Sequence, residues 1–200
     1  HMDGSRVCVA EPAVDLARFD PERPISGPCR AGLRTELGIP AGDFVIGVVS
    51  RIRESRRLDL AIGALAALAR ESPRVRLMVG GRGSGTAVDD VVVAPARRAG
   101  VEARVALAGY CQEDRLVAAY RSMDVLVYPT PGTDKSCRTV REALASAVPV
   151  VASRTGFLPV LIDDGVTGFL AEASVDALAG ALRPLLRDAE RLAAMRTAAL

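Results

Sequence analysis

Two acidic residues, Asp134 and Glu142, stand with seven residues between them, the first in a loop and the second on the second turn of an expected helix. A carboxylate can accept hydrogen bonds from two vicinal hydroxyls at once, which is how proteins grip a ribose or a hexose. Around Asp134 the small and polar run Gly132–Cys137 leads into a helix beginning near Arg138. The first amides of such a helix lack intrahelical acceptors and suit a phosphate or a sugar hydroxyl. Arg51, Arg53, Arg56 and Arg57 crowd the segment SRIRESRRLD, just ahead of another expected helix start at Leu58. Guanidinium groups beside a helix N-terminus hold phosphate by charge and by bidentate hydrogen bonds. In the loop GGRGSG (Gly80–Gly85) the missing side chains let backbone approach a ligand closely. Each piece has a plainer reading as well: a solvated charged turn, a flexible connection, a surface helix glutamate. For Glu142 taken alone, the plainer reading prevails.

The residue inventory removes other chemistries. The only histidine is His1, and His1-Met2 reads as a cloning remnant ahead of the natural sequence. A histidine base, a Ser-His-Asp triad and a histidine-held metal are therefore excluded. Lys135, the one lysine among 26 basic residues, follows Asp134 rather than a glycine, so no phosphate-binding Walker loop exists. The dinucleotide fingerprint needs glycines at i, i+2 and i+5. Thr86 stands where Gly81 and Gly83 would require the third, and Arg82 stands where Gly80 would require the second. That failure argues against an NAD-dependent oxidoreductase. Cys8, Cys29, Cys111 and Cys137 have no C-x-x-C spacing and suggest a reducing cytoplasm, with neither a disulfide frame nor a zinc site. A formal net charge of +2 gives no argument for a nucleic-acid or anionic-membrane partner. The uncharged run Ala143–Ser153 is shorter than the ~20 residues of a spanning helix and contains Pro149.

The elements that must position these residues are legible as an alternation. With 200 residues, half of them apolar and no Trp, the chain is sized for one core built from Val, Leu, Ile and Ala. Residues 3–42 are broken by five prolines and read as linker, with a short strand at Val7–Ala10 and a short helix near Arg30–Leu37. From Phe44 the pattern changes. FVIGVVS (Phe44–Ser50) is a β-branched run expected to be buried on both faces. Further strands are expected at Arg74–Gly81, Arg104–Tyr110, Asp124–Thr130, Val148–Ser153 and Gly168–Ala171. Helices fall between them at Leu58–Arg70, within Ala87–Ala99, at Glu113–Met123 and at Thr139–Ala147. Val175–Leu186 and Ala189–Ala199 close the chain, with Pro184 expected to kink or divide the first. The fold class implied is α/β, a Rossmann-like doubly wound parallel sheet. Ligands then bind at the C-terminal edge, in the loops that begin at Ser50, Gly80, Gly109, Tyr128 and Ser153.

Taken in order, these segments resemble the C-terminal, donor-binding half of family-4 (group 1) retaining glycosyltransferases with the GT-B fold. AVDLARFDP (Ala13–Pro21) looks like the family's lead-in to this domain, and LGIPAGDFVIGVVSRI with RRLDLAI resembles its first strand, Gly-Arg turn and following helix start. DKSCRTVREALASAVPVVAS and DDGVTGFL resemble its paired-acid motif and its closing Asp-Gly-x-x-Gly segment. The sequence departs from the pattern at several positions. Asp134 replaces the usual first glutamate, Ser50 and Ala13 replace glycines, Arg56 stands at a lysine position, and Arg57 replaces the glycine after it. Phe157 and Val160 stand where Gly and Glu are frequent.

The resemblance implies a domain at 43–200 that binds a nucleotide diphosphate-sugar donor, preceded by an inter-domain lead-in and linker at 3–42. An N-terminal acceptor-binding half is then expected elsewhere, and this fragment alone should not transfer sugar. By the same resemblance Arg51 and Arg56 contact the diphosphate, aided by the amides of Arg138 and Thr139. Glu142 holds the ribose hydroxyls, and Asp134 with the Ser136 and Cys137 amides holds the sugar. Tyr110 and Cys111 border the base, with Ser50 and Gly81 completing the donor site. The implied transfer is retaining and metal-independent, since the chain carries no Asp-x-Asp pair, and no cofactor beyond the donor substrate is expected. The implied acceptor is a cell-surface glycan, a lipopolysaccharide or a glycolipid; the protein itself is expected in the cytoplasm, with the full-length form peripheral at the inner membrane as an open option. A non-catalytic nucleotide-sugar binding module and a sugar-nucleotide epimerase-like lobe remain the alternatives.

Overall fold

The computed structural model describes residues 13–133 and 137–200. Six strands, β1 (Phe44–Val49), β2 (Val75–Gly80), β3 (Val105–Gly109), β4 (Val125–Tyr128), β5 (Val150–Ser153) and β6 (Gly168–Ala171), form one sheet. Their order is β3-β2-β1-β4-β5-β6 and every pair is parallel. This is the doubly wound order in which the chain reverses direction across the sheet between β1 and β4. A crevice must open at the carboxyl ends of those two strands, because the connections leaving them run to opposite faces.

Period-two alternation decides which side chain meets which helical layer. Ile46 and Val48 of β1, Leu77 and Val79 of β2, Val125 and Val127 of β4 and Val151 of β5 share one core. Their partners on that face are α3 (Leu58–Ala69), α8 (Val175–Arg187) and Met195 of α9 (Ala189–Ala198). The intervening Val45, Met78, Leu126, Tyr128, Val150 and Ala152 face the other core. That side is covered by α2 (Arg30–Glu36), α5 (Glu113–Arg121) and α6 (Arg138–Ala145). The short α1 (Leu16–Phe19) and α7 (Leu158–Leu161) cover it as well, and the fourth helix in chain order, α4 (Ala94–Arg98), lies on the first face.

Several sequence expectations shift in detail. The helix expected within Ala87–Ala99 starts at Ala87, passes through a π-helical turn at Asp89–Val93 and continues as α-helix in α4. β3 is an edge strand with Leu107 exposed. α8 runs unbroken through Pro184 to Arg187, so that proline does not divide it. The residue four before it, whose carbonyl a helical proline displaces, is the exposed Gly180, which leaves room for the displacement. Neither α1 nor α7 was expected. The part of the linker that is described is no free linker: Phe19, Leu33 and Ile39 are core residues. The strand expected at Val7–Ala10 lies outside the described residues.

At the sheet edge opposite the crevice, one carboxylate collects four donors. Asp124, just ahead of β4, accepts from Arg30 and Arg34 of α2 (both 2.7 Å), Arg196 of α9 (2.9 Å) and the Val45 amide of β1 (2.8 Å). Its own amide donates to the Val45 carbonyl at 2.8 Å. Burial pushes the Asp124 carboxyl up, but the Arg30 and Arg34 charges and the Val45 amide outweigh it and hold the group below the usual carboxylate range. Its contribution to stability is therefore complete above the ordinary aspartate pKa and disappears as pH falls through the depressed folded value. Asp124→Asn leaves the buried Arg34 charge without its partner, an uncompensated ion of the kind that costs about 3–5 kcal/mol. Urea unfolding at pH 7 should show that loss. At pH values low enough to protonate Asp124 in the folded wild type, the difference between the two proteins should shrink; a difference independent of pH would refute the ion-pair account.

Candidate functional site

The loops after β1, β2 and β3 do not splay apart at the crevice but continue the sheet's pairing beyond the strand ends. The Ser50 amide donates to the Gly80 carbonyl (3.0 Å), the Ile52 amide to the Arg82 carbonyl (2.9 Å) and the Gly81 amide to the Gly109 carbonyl (2.8 Å). Gly81 makes this approach possible. It adopts φ +150°, and a Cβ there would overlap the Ser50 carbonyl group. The glycine loop thus brings backbone close to backbone, and thereby fixes Ser50 and Arg82 at the rim. On the other side of the crevice the loops after β4 and β5 are tied in the same way, Ser153 Oγ donating to the Thr130 carbonyl and the Phe157 amide to Gly132.

Between the loops after β1, β2 and β3 and the head of α6 lies a cleft of about 840 Å³. Ser50, Arg51, Gly81, Tyr110, Cys111, Arg138, Thr139 and Glu142, all expected at one site, line it together. Five guanidinium-bearing residues, Arg18, Arg51, Arg53, Arg82 and Arg138, face this one space. Tyr110 is exposed and carries the Arg82 guanidinium over its ring, 4.1 Å from the centroid. Such a cation–π pair gives the rim a flat surface able to meet a planar ligand. The Cys111 thiol is buried, which pushes its pKa up against the lowering effect of Arg115, so it is an unreactive packing group rather than a nucleophile.

Glu142 is not the surface glutamate that its sequence position alone suggests: it is only 4 % exposed. The first turn of α6 is directed at the cleft, and Glu142 lies on the next turn of the same helix face, with its carboxylate between two donors. Tyr120 donates its hydroxyl to Oε2 at 2.8 Å and Arg138 donates Nε to Oε1 at 2.7 Å. A carboxylate has about four lone-pair positions. Asp124 has all four filled, whereas Glu142 has two filled among the described residues. Arg138 and Thr139 are the first two residues of α6, so their amides lie at its positive end. Among the described residues no group of three His, Cys, Asp or Glu side chains is placed to hold a metal ion.

Two expected site residues sit differently. Arg56 does not line the cleft; it is half-buried beside the end of β4, its Nη1 donating to the Tyr128 hydroxyl at 3.4 Å, with Nε buried and without a hydrogen-bond partner among the described residues. The Cys137 amide, expected to meet a sugar, donates instead to the Thr133 carbonyl at 2.9 Å, and the residue is fully buried. Its place just ahead of α6 turns it inward to pack on Gly132 and the second core. Asp134 and Ser136 lie outside the described residues. Conversely, Arg18 and Glu113 line the cleft without having been anticipated. For Arg18 a signal existed: Asp15 precedes LARF and caps α1 by accepting from the Arg18 amide at 3.0 Å, the pattern of a helix start.

A test of the loop geometry compares two glycines. Gly81→Ala must push apart the loops after β1 and β2, with a cost of about 2–3 kcal/mol and loss of ligand binding in the cleft. Gly85→Ala, also at positive φ (+53°) but with open space around it, should cost only about 1 kcal/mol and leave binding intact. Urea unfolding read alongside nucleotide titration separates the two; equal effects of both substitutions would refute the close-approach account.

Comparison with known proteins places this geometry. Residues 30–200 match the family described as glycosyl transferases group 1. The D-inositol 3-phosphate glycosyltransferase of Nocardia farcinica is 33% identical over 198 residues, an alignment covering 96% of this chain and 42% of that relative. The chain thus spans about two-fifths of the length of the curated relatives it matches. Among solved structures, the C-terminal domain of the group 1 glycosyl transferase LpcC from Francisella tularensis shares the fold, with a TM-score of 0.78 at 23% identity and 94% of each chain covered. Anabaena HepE, solved in complex with UDP and separately with UDP-glucose, superposes with TM-scores of 0.78 and 0.74 at 25% and 26% identity. Those superpositions cover 93% and 85% of this chain, and 49% and 46% of HepE. The match over residues 30–200, the relative's identity and the doubly wound sheet agree, and this chain belongs to the glycosyl transferases group 1 family.

Proposed function

We propose that this chain is the donor-binding part of a glycosyltransferase that moves a sugar from a nucleotide diphosphate-sugar to an acceptor hydroxyl. The observation that carries the reading is the cleft itself. At the sheet's switch point it gathers five arginines, the N-terminus of α6 and a buried glutamate with acceptor capacity to spare. Breaking the bond between sugar and diphosphate needs stabilisation of the negative charge that develops on the departing phosphate. On this reading Arg51, at the rim after β1, and the Arg138 and Thr139 amides supply it, and Glu142 accepts from the ribose hydroxyls; their shared lining of the cleft supports this. The Arg51 cation and these amide dipoles on this reading do the work that a metal held by an Asp-x-Asp pair does in other enzymes, which is the basis for proposing a metal-independent transfer. Retention of configuration and the sugar-holding role of Asp134 are proposed on the family resemblance. HepE, solved with UDP and UDP-glucose, makes a uridine nucleotide the first donor to try. The acceptor site is assigned to the portion of the relatives that this chain does not span. The relatives named for D-inositol 3-phosphate make a phosphorylated cyclitol the first acceptor to try, beside lipid-linked and surface glycans. No helix among the described residues is long and apolar enough to cross a membrane.

Calorimetric titration with UDP, GDP, ADP, dTDP and NAD tests the reading. Saturable binding of one nucleoside diphosphate is expected, weakened about tenfold to a hundredfold by Arg51→Ala, the loss of a charge-assisted contact. Arg56→Ala, outside the cleft lining, should weaken it less. Binding of NAD alone, or an affinity that ignores Arg51, would overturn the assignment.

A further inference from the structure

We propose that Tyr120 is a positioning residue of the donor site, its hydroxyl fixing the Glu142 carboxylate so that the remaining lone pairs face the cleft. This inference rests on the assignment of Glu142 to the ribose hydroxyls made above.

The two donors that hold Glu142 are unequal. Arg138 reaches Oε1 from a side chain that is 72% exposed, and a solvent-facing ion pair of this kind constrains geometry weakly. Tyr120 reaches Oε2 from inside the core, with no exposure at all. Its ring is held in turn: Phe19 of α1 meets it edge-to-face, with centroids 5.8 Å apart and planes at 76°. Burial, and then the Glu142 charge, hold the phenol well above the usual tyrosine range, so the hydroxyl keeps its proton and remains a donor to the carboxylate. Glutamate has three side-chain torsions, and one oxygen pinned by an immobile donor selects the rotamer that serves the cleft. Without that pin, a buried acceptor is left unsatisfied, and the carboxylate is free to turn toward Arg138 and solvent. The path Phe19–Tyr120–Glu142 therefore gives the residues ahead of the sheet a part in donor recognition, although neither aromatic ring lines the cleft.

The test separates ribose recognition from general affinity. The wild-type chain and Tyr120→Phe are titrated with UDP and with 2′,3′-dideoxyuridine 5′-diphosphate, which lacks the hydroxyls that Glu142 would hold. Tyr120→Phe keeps the ring, so a cooperative melt near the wild-type temperature is expected. Wild type should prefer UDP by about tenfold or more, as expected for hydrogen bonds to a charged acceptor. In Tyr120→Phe that preference should fall to about threefold or less, with binding of the dideoxy compound unchanged. In a Glu142→Gln background, adding Tyr120→Phe should change neither affinity further. Equal weakening of both nucleotides by Tyr120→Phe, or an undiminished preference for UDP, overturns the positioning role while leaving the donor-site reading intact. Loss of the cooperative melt also overturns it, because the hydroxyl would then be a requirement of the fold. A wild-type chain that binds neither nucleotide, or both equally, removes Glu142 from the ribose and both readings fall together.

Discussion

The pairing of β1 with β4 is the joint on which the molecule turns, because the chain reverses its course across the sheet there and the cleft opens at its far end. Only two residue pairs make up that register, Ile46 with Val125 and Gly47 with Leu126. Asp124 extends it by engaging both the amide and the carbonyl of Val45, one through its carboxylate and one through its own backbone. The same carboxylate anchors α2 through Arg30 and Arg34, and α9 through Arg196. Two helices on opposite faces of the sheet are thus referred to one charge at its closed edge. A short parallel pairing held at one end leaves the other end free to part, and the ligand edge is where it parts.

Two buried carboxylates in one small domain illustrate how burial serves different ends. Asp124 accepts four hydrogen bonds, three from guanidinium groups, and has no capacity left for a ligand. Such a group is costly to bury, and its complete satisfaction makes it structural. Glu142 is as well buried but accepts two among the described residues, one from an exposed arginine. A partly satisfied buried acceptor is a poor structural device and a good recognition element, because a ligand that completes its shell removes a standing penalty. The contrast depends on counting partners. Burial alone would have classed the two residues together.

Much of the architecture was legible because a parallel sheet covered on both faces writes itself as uninterrupted apolar runs. FVIGVV, RLMV and VLVY read as strands for that reason, and each is buried as expected. β3 carried the same signal and came out half-exposed, because a run of apolar residues does not say whether a strand has one neighbour or two. In the site, the sequence pointed to the arginines after β1 and to the head of α6, and Arg51, Arg53, Arg138, Thr139 and Glu142 do line one cleft. The burial of Glu142 was illegible, because its partner Tyr120 is 22 residues away on a different helix. Arg56 was read as a cleft residue from its place in SRIRESRRLD, but the turn Glu54–Arg56 directs it toward Tyr128 instead. Arg57 shows why the family pattern has glycine at that position: the backbone there is left-handed, φ 52° and ψ 42°, a conformation strained for any residue with a Cβ. The exposed pairing of Arg57 with Asp59 offsets little of that strain.

The arginines lining the cleft gain meaning from where they originate. Arg18 comes from α1, Arg51 and Arg53 from the loop after β1, Arg82 from the loop after β2 and Arg138 from the head of α6. No two of these segments are adjacent in the sequence, so a bias toward arginine in composition cannot by itself bring them to one space. The fold does so through the backbone ties across Ser50–Gly80, Ile52–Arg82 and Gly81–Gly109. Side chains that repel one another at such proximity raise the energy of the empty cleft, and a dianionic group placed among them lowers it. The same arrangement therefore suits the cleft to an anionic group.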